Sequence, residues 1–202
     1  MTPALDLLAD GNPIREEVRV LLAGTAISDA FQRRLGPRLG DPEVVRIALE
    51  EIGYARCPLP VEAGDLGQLA VSAELVGMGA ALLTLTTARV KARHAFGAPL
   101  AAMQSVQLRA ADMYLDFVAA REAVIEASLS PSPLAMAAAK VTATQSALAI
   151  AAGAHQLCGG WGLLDEAGLH HYTRAIKAAE SRLGSPREHR RTIADYLIMY
   201  TN

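Results

Sequence analysis

Residues 93–100 read Arg93-His94-Ala95-Phe96-Gly97-Ala98-Pro99-Leu100, with Gln104 and Gln107 close behind. The flanks of this stretch decide the fold. Before it, the run from Leu66 to Arg93 is apolar almost all round. That run predicts one helix of about 40 Å at 1.5 Å per residue, set centrally in the molecule. After it, Met103, Val106, Ala110, Met113, Tyr114, Phe117, Val118, Val124 and Ile125 recur at three and four. This spacing predicts a second long helix over 101–129, with Asp116, Arg121 and Glu122 on its outer side. The turn Phe96-Gly97-Ala98-Pro99 joins the two, so they should lie antiparallel.

Working toward the C-terminus, Ser130-Pro131-Ser132-Pro133 is a break, with Ser132 and Pro133 placed to start a third helix. That helix runs to about Leu157 and is rich in alanine, which lets neighbours approach closely. Cys158-Gly159-Gly160-Trp161-Gly162 is a glycine-rich turn. A fourth helix is expected over 166–182, a break at Gly184-Ser185-Pro186, and a last helix over 187–199. Toward the N-terminus, one short helix is expected over 13–23. Another follows Asp41, its N-cap, and ends at Gly53. Cys57-Pro58-Leu59-Pro60 then forces an extended exit. Strand signals are nearly absent. The fold class is all-α: an up-down helical bundle over 63–202, preceded by a short N-terminal helical segment over 1–62.

Composition narrows the function. The 202 residues are 51% hydrophobic and 20% charged, with net charge −2 and 4% aromatics. No basic surface for nucleic acid and no base-stacking platform is expected. The apolar run near 69–90 holds Ser72, Glu74, Thr84, Thr86 and Thr87 and reads as a buried helix, not a membrane span. The N-terminus shows no signal peptide, and Cys57 and Cys158 have no metal-ligand spacing, so a cytoplasmic protein with reduced thiols is expected. The histidines form no metal or Ser-His-Asp pattern by spacing.

Chemistry concentrates in two segments. The first has the form R-x-x-F-G-x-P-hydrophobic, then two glutamines. An arginine at a helix end can grip a diphosphate with both arms of its fork, and Gln104 and Gln107 lie one turn apart. An ordinary helical hairpin uses the same residues. The second is Gln156-Leu157-Cys158-Gly159-Gly160-Trp161-Gly162, where glycines allow positive φ and close backbone approach to a ligand. A plain helix-ending loop uses these too.

Together and in this order the two segments resemble the acyl-CoA dehydrogenase family. Ala110-Ala111-Asp112-Met113, Lys140 and Gly77 match its helical domain, and Leu49-Glu50-Glu51-Ile52-Gly53-Tyr54 with Pro58-Leu59-Pro60 looks like part of its first domain. The resemblance covers about residues 66–200 and implies that Arg93, Phe96, Gln104, Gln156, Gly159, Gly160 and Gly162 bind the adenosine diphosphate part of FAD across a subunit interface.

Two features depart from the family. Only Val61 to Asp65 separate Pro60 from the first long helix, where relatives place a β-domain of roughly a hundred residues. The catalytic carboxylate is also missing. Its usual place, nine residues after the arginine that Arg174 matches, holds Leu183, followed by Gly184-Ser185. Asp65, beside the base position that some relatives use near Gly67, and Glu180 are the weak substitutes, as a helix cap and a solvated charge respectively. No catalytic residue is assigned.

The expectation is therefore a truncated subunit that contributes FAD-binding residues to a shared site for α,β-dehydrogenation of an acyl-CoA thioester. It would form a homo- or hetero-oligomer with a dehydrogenase-like subunit that supplies the base. The alternative is a flavin-free relative: an interaction module, or an enzyme of isomerase, dehydratase or cyclase type, acting on an acyl-CoA or acyl-carrier substrate.

Overall fold

The computed structural model describes residues 67–201 continuously, and residues 12, 13, 15, 16, 46–48, 50 and 51 before them. Helices carry the continuous part: α1 (Gly67–Ala92), α2 (Gln104–Leu129), α3 (Pro133–Cys158), α4 (Leu169–Glu180) and α5 (Pro186–Thr201). The all-α bundle expected from the sequence is the fold observed.

In α1 every position from Leu69 to Leu83 except Glu74 is buried, as its all-round apolar character demands. By length and apolarity alone, α1 and the span 133–163 could each cross a membrane, but α1 is largely covered by its neighbours. α3 packs against α1, α2, α4 and α5. Glycine makes this closeness possible. A Cβ on Gly79 would stand 3.2 Å from Ile150 Cδ1, and one on Gly153 only 2.6 Å from Met113 Sδ. The second contact joins α3 to α2 at a point where no side chain fits.

Helix starts follow the chemistry of their first residues. The Ser132 hydroxyl accepts the Ala135 N–H at 3.1 Å, and Pro133 takes the first helical position of α3. At α5, the Glu188 carboxylate accepts the Ser185 N–H at 2.7 Å, while Glu188 N–H points back to the Ser185 hydroxyl at 3.4 Å. This reciprocal pair is a capping box, and it holds the Glu188 carboxyl below its usual range.

The structure departs from the sequence reading at three links. The first turn is a small hairpin, with β1 (His94–Ala95) antiparallel to β2 (Ala98–Pro99). Phe96 (φ 53°) and Gly97 (φ 80°) both take positive φ, which gives a primed turn suited to two-residue hairpins. Next, α2 starts at Gln104 rather than 101, because Leu100–Ala102 is a 3-10 turn and Met103 is extended. Finally, α4 starts at Leu169 rather than 166, because Gly168 is left-handed (φ 68°) and cuts off a separate 3-10 turn, Asp165–Ala167.

The described part of the N-terminal third is helical at 13, 15 and 16 and at 46–48, 50 and 51. Arg15 bridges Glu50 and Glu51, and Arg46 also reaches Glu50, all at 2.7 Å and nearly free of solvent. Ala48 joins the main core. The expected caps at Asp41 and Gly53, the proposed boundary at 62/63, Asp65 and Cys57 lie outside the described residues.

α4 ends at Glu180 for a distinct reason. The Lys140 ammonium, 0% exposed, donates to the carbonyls of Ala179 (2.9 Å) and Glu180 (3.0 Å) and to the Thr144 hydroxyl (3.3 Å). Burial, helped by the Arg182 charge and opposed by Glu180 and Glu74, lowers the lysine to about 8.

Two outcomes follow from this packing. Gly153→Ala should destabilise by about 1–3 kcal/mol through overpacking against Met113, seen as a lower urea midpoint. Lys140 titrates lower when folded than its ordinary 10.5. Between about pH 8 and 10.5 the unfolded chain therefore binds more protons, and stability rises with pH across that window. Lys140→Met should flatten this rise in denaturation midpoints measured at several pH values.

Candidate functional site

The chemistry-bearing segments occupy opposite ends of the bundle. At one end lie the hairpin and the glycine loop, residues 93–104 and 156–168. At the other lie the start of α1, the start of α3 and the link between α4 and α5. Lys140, near this second end, is about 27 Å from Cys158 along α3 at 1.5 Å per residue.

At the first end, Arg93 follows α1 and is exposed. Its carbonyl accepts the Leu100 N–H at 2.8 Å, which closes the hairpin. Phe96 stands at the tip, 96% exposed. Gln104 is the first residue of α2, whose N-cap, Met103, offers no side-chain acceptor. Uncapped N–H groups at such a terminus favour an anion. The side chains of Arg93, Gln104 and Gln156 are exposed and make no hydrogen bond or ion pair among the described residues. Gln107 differs, because its amide donates to the Ala101 carbonyl at 3.0 Å and pins the turn.

The glycine loop begins where α3 ends and forms a 3-10 turn, Gly159–Leu163. The Arg89 guanidinium lies 4.6 Å from the Trp161 ring centre. This cation–π contact brings the loop against the end of α1, one helical turn before Arg93. Added Cβ atoms at Gly159 and Gly160 would meet nothing within 4 Å, so this stretch of backbone is open. Gly162 is buried instead, and a Cβ there would press Cys158 Cβ at 3.1 Å and Leu169 Cδ2 at 3.3 Å. Its role is to seat the loop. Burial pushes the Cys158 thiol up, with Thr86 and Arg89 opposing.

His155 adds an unpaired acceptor. The Thr173 hydroxyl donates to the Leu169 carbonyl at 3.1 Å, so it accepts from His155 Nε2–H at 2.9 Å. His155 Nδ1 is then a lone pair, buried and without a partner, beside Gly162.

At the second end, Leu183 occupies the place where the resemblance puts a carboxylate. It is half-buried with φ 59°, and Gly184 follows at φ 107°. The Leu183 carbonyl accepts from His189 Nε2 at 3.1 Å. Glu180 is turned to the surface and pairs with Lys177 at 3.1 Å. Arg182 pairs with Glu74. A cavity of about 460 Å³ opens here, lined by Gln68, Pro131, Ser132, Pro133, Met136, Ala137, His189 and Thr192.

One cluster was not legible in spacing. Asp165, His170 and His171 bring three potential metal-ligand atoms within 4.8 Å of one another, with His170 Nε2 3.1 Å from Asp165 Oδ1. The left-handed Gly168 makes this possible by folding the turn back on α4. Arg174 is exposed on α4.

The two open glycines should respond differently to a methyl group. Gly159→Ala places a side chain at φ 56°, ψ −143° and should cost about 1–3 kcal/mol. Gly160→Ala, with neither positive φ nor a neighbour, should lie within about 0.5 kcal/mol of the parent in thermal melts.

Comparison with known proteins agrees with this architecture. The profile of the family "Acyl-CoA dehydrogenase, C-terminal domain" matches residues 61–198. The chain is 34% identical over 132 residues to the acyl-CoA dehydrogenase IpdE2 of Mycobacterium tuberculosis, covering 65% of this chain and 41% of that protein. Butyryl-CoA dehydrogenase of Megasphaera elsdenii superposes with a TM-score of 0.64 at 25% identity, over 77% of this chain and 38% of that one. A Tcur3481-Tcur3483 steroid ACAD variant superposes with a TM-score of 0.63 at 25% identity, over 68% and 39%. The chain thus spans about two-fifths of the length of these relatives. It belongs to the acyl-CoA dehydrogenase family and carries that family's C-terminal helical domain.

Proposed function

We propose that the chain is a subunit of an FAD-dependent acyl-CoA dehydrogenase and lends its first end to a flavin site completed by a partner chain. The observation that carries this reading is the set of unsatisfied groups there. Arg93, Gln104 and Gln156 have no partner among the described residues, and Gly159 and Gly160 are open. His155 Nδ1 is a buried acceptor lacking a donor. These groups suit a nucleotide diphosphate with its ribose and amide-bearing ring. Arg93 and the uncapped start of α2 hold the diphosphate, while Gln104 and Gln156 orient the rest. Bound FAD supplies the hydride acceptor for α,β-dehydrogenation of an acyl-CoA thioester.

Support for a partner comes from apolar side chains left in solvent. On α2, Leu108, Tyr114 and Leu115 are 59%, 48% and 65% exposed. On α5, Met199 and Tyr200 are exposed as well. Such groupings mark interaction surfaces. The Tcur3481-Tcur3483 steroid ACAD is itself named with two designations, which suits a two-chain enzyme.

Leu183 favours a second reading, a flavin-free relative doing other chemistry on the same scaffold, because a leucine cannot take a proton. Visible absorbance separates the two. The protein is purified alone and after co-expression with a full-length dehydrogenase-like partner. A flavin band confined to the co-purified complex is expected. No flavin in either preparation, with a stable homo-oligomer, would overturn the shared site. Within the complex, Arg93→Ala should weaken flavin retention about 10–100-fold, the loss of a charge-assisted pair of hydrogen bonds. Its effect on thermal stability should stay within about 0.5 kcal/mol, since the side chain is exposed.

A further inference from the structure

The cavity at the second end combines a proton acceptor, a hydrogen-bond donor and an apolar lining. Of its eight lining residues, His189 alone titrates near neutrality. The histidine is 5% exposed and fixed from one side. Its Nε2–H donates to the Leu183 carbonyl at 3.1 Å, and the ring packs on Gly184, where a Cβ would stand 2.6 Å from Nε2. The proton is therefore held on Nε2, and Nδ1 carries the lone pair. The Gln68 amide lines the same cavity and makes no hydrogen bond among the described residues. Pro131, Pro133, Met136 and Ala137 supply the apolar surface. About 460 Å³ is ample for a short acyl group.

We propose that His189 is a catalytic base that takes the α-proton of an acyl-CoA thioester seated in this cavity, in place of the carboxylate missing at Leu183. The substrate class rests on the dehydrogenase reading above; the base rests on the cavity. The step is redox-neutral. The α C–H bond breaks, an N–H bond forms at Nδ1, and the electron pair moves onto the thioester oxygen as an enolate. Gln68 donates a hydrogen bond to that oxygen. Return of the proton from Nδ1 restores the substrate, so solvent hydrogen exchanges into the α-position without oxidant or flavin.

The charges around the ring keep it in its basic form. Burial holds His189 below its usual 6.5, and the Lys140 ammonium on α3 acts in the same sense. The carbonyls of Leu183 and Gly184 and the Glu188 carboxylate on its own helix oppose them. The net shift is downward, so the imidazole is neutral at pH 7.

The experiment follows the α-protons of butyryl-CoA by NMR in D2O, with the protein alone and in the co-purified complex. Exchange above the buffer rate is expected. His189→Gln keeps an N–H for the Leu183 carbonyl but cannot accept a proton. It should slow exchange by the protein alone at least about 100-fold, with unchanged melting temperature and unchanged flavin absorbance in the complex. Should that variant unfold, His189→Ala decides, because added imidazole should restore exchange in the emptied cavity. Wild-type exchange rates in His189→Gln would overturn the proposal. So would absence of exchange in a wild-type complex that holds flavin, a result that leaves the shared-flavin reading standing. Exchange that depends on His189 in a flavin-free protein would support the base and remove the shared flavin.

Discussion

The ammonium of Lys140 is enclosed by protein and faces three oxygen acceptors, two of them the last carbonyls of α4. A buried cation without acceptors would be costly, and helix-end carbonyls without donors would be costly too. Each resolves the other. The pairing fixes where α4 stops relative to α3, and residues 182–184 are placed by it. Arg182 turns to Glu74 on α1, Leu183 enters a left-handed conformation, and Gly184 lies flat against His189. The geometry of the second end thus depends on one side chain of the central helix.

Much of this was legible in the sequence because it follows from local rules. The apolar surround of α1, the three-four repeat of α2 and the Ser132-Pro133 start of α3 each name their own structure. What stayed hidden depended on contacts between distant residues or on rare backbone states. Phe96 in a left-handed turn is a poor expectation for a bulky residue, so the hairpin could not be read from its sequence. Gly168 interrupts what looks like a helix beginning at 166, because a glycine within a helical pattern does not announce which φ it takes. The Ser185–Glu188 capping box, which marks the start of α5 at Pro186, emerged only with the structure.

The candidate site divides along the same line. Arg93, Phe96 and Gln104 are exposed, and their motif stood out through the family resemblance rather than through spacing alone. Gly162 differs from its neighbours in the loop: it is buried, and a Cβ there would press Cys158 and Leu169, while Gly159 and Gly160 stay open. His189 was an isolated residue in the sequence. It gained a role only when the α4–α5 link folded over it and Gln68, over a hundred residues earlier, came to face the same cavity.

The separation of the two ends carries a rule of counting. Groups about 27 Å apart along one rigid helix cannot grip the same phosphate and the same reacting carbon of a compact ligand. Under the proposed shared site, each chain would touch two ligands or half-touch one. In a symmetric pair every end finds a complement and sites equal chains. In a pair with one unlike chain the tally falls out of step, and the ratio of bound nucleotide to polypeptide becomes a direct record of how the chains are paired.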